Sequence, residues 1–99
     1  MKYDKQQQEL YIIVVNAIKE IEPEYKNKKI KPAENIKKYI DSRAYTNFVR
    51  TLENSIQEKY KVNLIISEQQ VDRMNTVDDA VKTLYDAALS KGTGSSGGA

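Results

Sequence analysis

Chemistry has few places to reside in this chain. Its 99 residues include no cysteine and no histidine. That removes disulfides, thiolate nucleophiles and thiolate metal sites, together with the commonest general base and metal ligand at neutral pH. A self-contained hydrolase or metalloenzyme is therefore not expected, and the chain reads as a non-enzyme. What remains is a hydroxyl beside a carboxylate, Asp41-Ser42, within KKYIDSRAYTNFVRTLE, residues 37 to 53. Two kinds of chemistry suit a serine where an amphipathic helix begins. Its oxygen can accept a hydrogen bond from an orphan backbone N–H and cap the helix, worth about 1 kcal/mol over alanine. Alternatively its hydroxyl can carry an anionic modification, because the free amides and positive dipole end of a helix favour a phosphate there.

The elements that must position this pair are legible from spacing. Asp4 can cap a first helix that runs to about Ile21, where Pro23 enforces a stop. Leu10, Val14, Ala17, Ile18 and Ile21 make its apolar stripe, widened by Ile13 and Val15. A lysine-rich connection follows from about residue 22 to residue 40, anchored by Ile30 and Ile36, with a short turn expected within PAENIKKY. The second helix is expected to open at Ser42 and end near Tyr60, burying Tyr45, Phe48, Val49, Leu52 and Ile56. Arg43, Asn47, Arg50 and Asn54 should face water. KVNLIIS then reads as an extended segment pressed on the core, because no second strong strand exists to pair with it. Ser67 with Gln70, and Thr76 with Asp79, form capping boxes for a short helix and a last helix. Val77, Val81, Leu84 and Ala88 are the buried stripe of the last one, and Gly92 is its stop. The expectation is an all-α, four-helix bundle: three long helices and a short one, with a long loop between the first two. Residues 1 to 92 form the domain. The tail 93 to 99, GTGSSGGA with Gly92, reads as a disordered linker or cloning scar.

Bulk properties narrow the partners. Net charge is only +2 and the lysines concentrate in EYKNKKIKPAENIKK, residues 24 to 38. A solvated basic loop accounts for that run. No aromatic-studded RNA surface or base-reading helix accompanies it, so no nucleic-acid partner is expected. The apolar run that ends at Val15 is far short of the roughly 20 residues that span a bilayer. The N-terminal MKYDKQQQ has no apolar signal region. A cytoplasmic monomer without a membrane partner is expected.

The segment YIDSRAYTNFVRTLENSIQEKYKVNLIISEQQVDRMNTVDDAVKTLYD, in this helix order, resembles the acyl carrier protein family. The likeness extends over about residues 5 to 90. An Asp-Ser pair opens helix two, Phe-Val and Leu-Glu follow, a Val-x-Leu exit comes next, and Asn-Thr-Val-Asp-Asp heads the last helix. The Asp-Ser dipeptide alone has little specificity; its combination with TVDDAV about thirty-five residues later has considerably more. The resemblance implies a 4'-phosphopantetheine arm attached covalently to Ser42, with Asp41 assisting loading through the Mg²⁺ of a phosphopantetheinyl transferase. The arm would carry acyl intermediates as thioesters for acyl-transferring or condensing enzymes of a fatty-acid, polyketide or related pathway. Docking would fall on Arg43, Tyr45, Thr46, Asn47 and Arg50. Tyr39, Ile40 and Ile65 are weaker candidates for lining the acyl site or the base of the arm, and each could equally be packing.

Two departures stand out against the family pattern. Arg43 occupies the position where members usually carry the leucine that docks on partner enzymes. The exposed face of helix two shows Arg43 and Arg50, with Glu53 and Glu58 as its acids, where members are usually acidic. Like charges across an interface cost several kcal/mol, so enzymes built for acidic carriers should recognise this chain poorly. These features imply a specialised carrier with dedicated enzymes. The alternative is an unmodified helical interaction module in which Ser42 only caps.

Overall fold

The computed structural model describes residues 2–89. The stop at Gly92 and the tail from residue 93 lie outside the described residues. Four α-helices follow in order: α1 (Lys5–Ile21), α2 (Tyr45–Tyr60), α3 (Glu68–Arg73) and α4 (Val77–Leu84). A π-helical turn, Tyr85–Leu89, prolongs α4. Among the described residues there is no strand; one isolated antiparallel bridge joins Asn35 to Thr76.

Three helices start where their side chains say they should. Asp4 accepts the Gln7 N–H while the Gln7 side chain accepts from the Asp4 N–H, a complete capping box. Ser67 with Gln70 and Thr76 with Asp79 repeat the arrangement. Each box meets two otherwise orphaned donors, which is why these starts were readable. The core is one cluster. Leu10, Val14 and Ile18 of α1 meet Phe48, Leu52 and Ile56 of α2 and Val77, Val81 and Leu84 of α4, and all nine are fully buried. α1 packs against both α2 and α4, and α3 leans on α4. The segment between α2 and α3 has no regular structure: it leaves α2 through Lys61 in the left-handed region and turns where the Leu64 N–H donates to Val62 O at 3.1 Å, with Val62 and Leu64 half-buried and Ile66 buried against the core.

The start of α2 differs from the sequence expectation. It begins at Tyr45, not Ser42, and Ala44 occupies the cap position without any side-chain acceptor. The Asp41 carboxylate accepts the Ala44 N–H at 3.0 Å and the Asp41 carbonyl accepts the same N–H at 3.2 Å. These bonds close a turn over residues 42 to 44 before helical geometry is reached. An aspartate that satisfies its own downstream backbone competes with helix initiation, and here that competition delays the helix by three residues. Ser42 is therefore not the helix cap.

The long connection is more structured than a loop of that composition suggests. It holds two 3₁₀ turns, Pro23–Tyr25 and Ile36–Lys38. Ile30, Ile36, Tyr39 and Ile40 are all buried. Its backbone is tied to the start of α4. The Ile36 N–H donates to Asn75 O at 2.8 Å, Val77 N–H to Glu34 O at 3.0 Å, and Asp78 N–H to Pro32 O at 2.8 Å. Two first-turn amides of α4 thus find acceptors in the connection, which fastens it without a regular element of its own.

Candidate functional site

Two adjoining hollows lie between α2, α3 and the turn that precedes α2. One, of about 310 Å³, is lined by Lys37, Ser42, Asn75 and Met74 and by residues of both helices. The other, of about 450 Å³, continues along α2 and α3 to Arg50, Glu53 and Glu68. Tyr45, Thr46, Val71 and Asp72 belong to both, so the two make one cleft. One wall is a flank of α2 in which Tyr45 and Val49, and Thr46 and Arg50, are stacked four residues apart. The other is the single face of α3 that carries Glu68, Val71 and Asp72 at three- and four-residue spacing. The lining is apolar at Tyr45, Val49, Val71 and Met74 and charged along the rim.

Ser42 stands at one end of this cleft. It is exposed, and its hydroxyl makes no hydrogen bond to the described residues. Because Ala44 has no capping side chain, the Tyr45, Thr46 and Asn47 N–H groups meet no acceptor among the described residues. This contrasts with α4, whose first-turn donors are all engaged. The exposed Asp41 carboxylate holds the turn on which Ser42 sits.

Of the residues expected to meet a partner, Arg43, Thr46, Asn47 and Arg50 are exposed. Thr46 and Arg50 line the cleft, whereas Arg43 and Asn47 lie outside its lining. Tyr45 departs from the docking expectation. It is buried, and its hydroxyl donates to the Met74 carbonyl at 2.9 Å, so it is a wall of the cleft and a tie between α2 and the end of α3. Burial alone pushes its pKa up to about 12. Tyr39 and Ile40 are core residues away from the cleft, and Ile65 is 85% exposed, so none of the three lines the site. Glu53 is not a free surface acid. It accepts the Ile66 N–H at 2.8 Å and pins the segment between α2 and α3 to α2.

The α3 wall was not singled out from the sequence. Its signal was available in the helical spacing of Glu68, Val71 and Asp72, but a six-residue helix offers too little periodicity to say what it faces. No group of acids capable of holding a metal ion occurs among the described residues. No helix among them is long and apolar enough to cross a membrane. No family model matches the chain, no curated protein matches it, and no solved structure matches it.

Proposed function

We propose that this chain is an acyl carrier, with a 4'-phosphopantetheine arm borne by Ser42. The observation that carries the reading is the exposed, unpartnered Ser42 hydroxyl at the end of a partly apolar cleft between α2 and α3. The four-helix order with its capping boxes and the sequence likeness to acyl carrier proteins support the same reading. The site suits the arm: the hydroxyl is accessible, and the open amides at the start of α2 favour an anion nearby. The cleft offers volume alongside.

Loading would join the Ser42 Oγ to the pantetheine-side phosphorus of coenzyme A, break the pyrophosphate bond and release 3',5'-ADP. The hydroxyl proton goes to a base supplied by the transferase. Once attached, the arm supplies a terminal thiol on which acyl groups are held as thioesters. The chain's own residues act around it. Asp41 holds the turn that presents Ser42 and offers its exposed carboxylate to the transferase's Mg²⁺. Tyr45, Val49, Val71 and Met74 provide apolar surface for the carried group. Acyl-transferring or condensing enzymes of a fatty-acid, polyketide or related pathway are the partners this reading requires.

The test is intact-protein mass after incubation with coenzyme A, Mg²⁺ and a permissive phosphopantetheinyl transferase. One phosphopantetheine should be gained, and Ser42→Ala should abolish the gain. Ser55 and Ser67 should not substitute, being half-buried within α2 and engaged in the α3 capping box respectively. If no transferase loads the folded chain, including a variant carrying Arg43→Leu, the carrier reading fails and the unmodified interaction module takes its place.

A further inference from the structure

We propose that the protein that meets Ser42 presents an acidic surface to a basic strip formed by Lys37, Arg43 and Arg50. The inference rests on the carrier reading for where docking occurs; the charges around Ser42 supply the chemistry of the partner. Lys37 and Ser42 line the same end of the cleft, Arg43 follows Ser42 directly, and Arg50 lines the far end. All three are exposed, and none forms an ion pair with the described residues. By contrast, neighbouring Lys38 is paired with Glu34 at 3.4 Å. Asp41 is the only acid between residues 37 and 50; it keeps its charge while accepting the Ala44 N–H, so the four cations of that stretch, Lys37, Lys38, Arg43 and Arg50, still leave it positive. Unpaired cations beside Ser42 and along the cleft from it set up a local positive potential that steers an anionic surface inward and repels a cationic one.

The opposite wall decides what kind of anion fits. Glu68 and Asp72 of α3 line the cleft opposite Arg50, Asp72 also lines the end that holds Lys37, and both acids are exposed. A nucleic-acid backbone or an anionic bilayer carries negative charge throughout and would be driven against those carboxylates. A folded protein can place acids opposite α2 and neutral or basic groups opposite α3. The net charge of only +2 likewise favours a local, patterned contact over general attraction to polyanions.

The experiment uses the isotope-labelled full chain and three probes: a glutamate-rich amphipathic helical peptide, a short DNA duplex, and vesicles of phosphatidylcholine with phosphatidylglycerol. With the peptide, amide shifts should concentrate in residues 37 to 50. The Lys37→Glu/Arg43→Glu/Arg50→Glu variant should weaken peptide binding about 10-fold or more. The control Lys26→Glu/Lys28→Glu/Lys29→Glu makes the same charge change in the exposed connection and should weaken it less than about 3-fold, because screening confines its effect. Peptide shifts centred elsewhere, equal losses in the two variants, or tighter binding of the duplex or vesicles would overturn the proposal. Loading of Ser42, measured on the same samples, separates the two ideas. Loading without peptide contact at residues 37 to 50 overturns the strip and leaves the carrier. Contact there without loading keeps the strip as a docking surface and overturns the carrier.

Discussion

Asp41 and Ser42 are neighbours with separate tasks. The aspartate ties the turn to the Ala44 N–H, while the serine hydroxyl has no bond to the described residues. Stability should therefore separate them. Ser42→Ala should shift the unfolding free energy by less than about 0.5 kcal/mol, the usual range for a surface change that removes no contact. Asp41→Ala should cost about 0.5–1.5 kcal/mol, because an N–H at a helix start loses its side-chain acceptor. Urea unfolding of both variants is the measurement, and a larger loss for Ser42→Ala would restore the serine as the cap. The sequence could not choose between the two, since aspartate and serine rank equally as caps and the neighbouring Ala44 carries no capping signal. Tyr45 was ambiguous in a different way. Its position in the apolar stripe predicted burial, its proximity to Ser42 suggested docking, and packing under the Met74 carbonyl decided for burial.

At the scale of elements, what could be read and what could not divide by range. The stripes of α1, α2 and α4 and the three capping boxes are local patterns, repeated every three or four residues or closed within three, so the sequence displays them directly. The connection from residue 22 to residue 40 has no such pattern, and its composition alone suggests mobility. Its order comes from Glu34 and Pro32 carbonyls that accept from Val77 and Asp78, more than forty residues later in the chain. Within it, Glu34 is tied by a hydrogen bond from the Tyr39 hydroxyl and by the Lys31 N–H and Lys38 Nζ. The Tyr39 bond first, and the other two after it, hold the Glu34 carboxyl below its ordinary pKa. Hydrogen exchange should show the consequence. The Ile36, Val77 and Asp78 amides should be protected about as well as the middle of α4, while those of Asn27 and Lys29, which have no acceptor among the described residues, should exchange rapidly. Fast exchange at Ile36 and Val77 with α4 intact would mean that the connection is not fastened there.

Across the whole molecule, tyrosine hydroxyls fasten segments that lie far apart in sequence. Tyr3 donates to Asp78 at 2.6 Å over a separation of 75 residues, and Tyr60 to Glu9 at 2.8 Å over 51. Tyr11 donates to the Ile30 carbonyl and Tyr45 to that of Met74. Such pairings leave no local trace, so the sequence showed seven tyrosines and no hint that they act as ties. They have a shared pH signature. Burial first, and then the bonded carboxylate, raises the pKa of Tyr3 and Tyr60; the same causes put Tyr39 at about 12, and burial alone puts Tyr45 at about 12. A group whose folded pKa is raised binds its proton more tightly in the native state. Its contribution is fully present below the unfolded tyrosine value of about 10 and is lost as pH climbs from there through the folded value. With several such groups acting together, stability should hold steady from neutrality to about pH 9 and then fall steeply between about 10 and 12. The late-rising part of the tyrosinate absorbance should come in together with the loss of helical circular dichroism, because Tyr3, Tyr39, Tyr45 and Tyr60 give up their protons as the fold opens. Tyr45→Phe removes one of the titrating groups, so this variant, though less stable at neutral pH, should lose stability with a shallower slope in the alkaline range. Full ionisation of the tyrosines near pH 10 with the helices intact would show that these hydroxyls are neither buried nor tied.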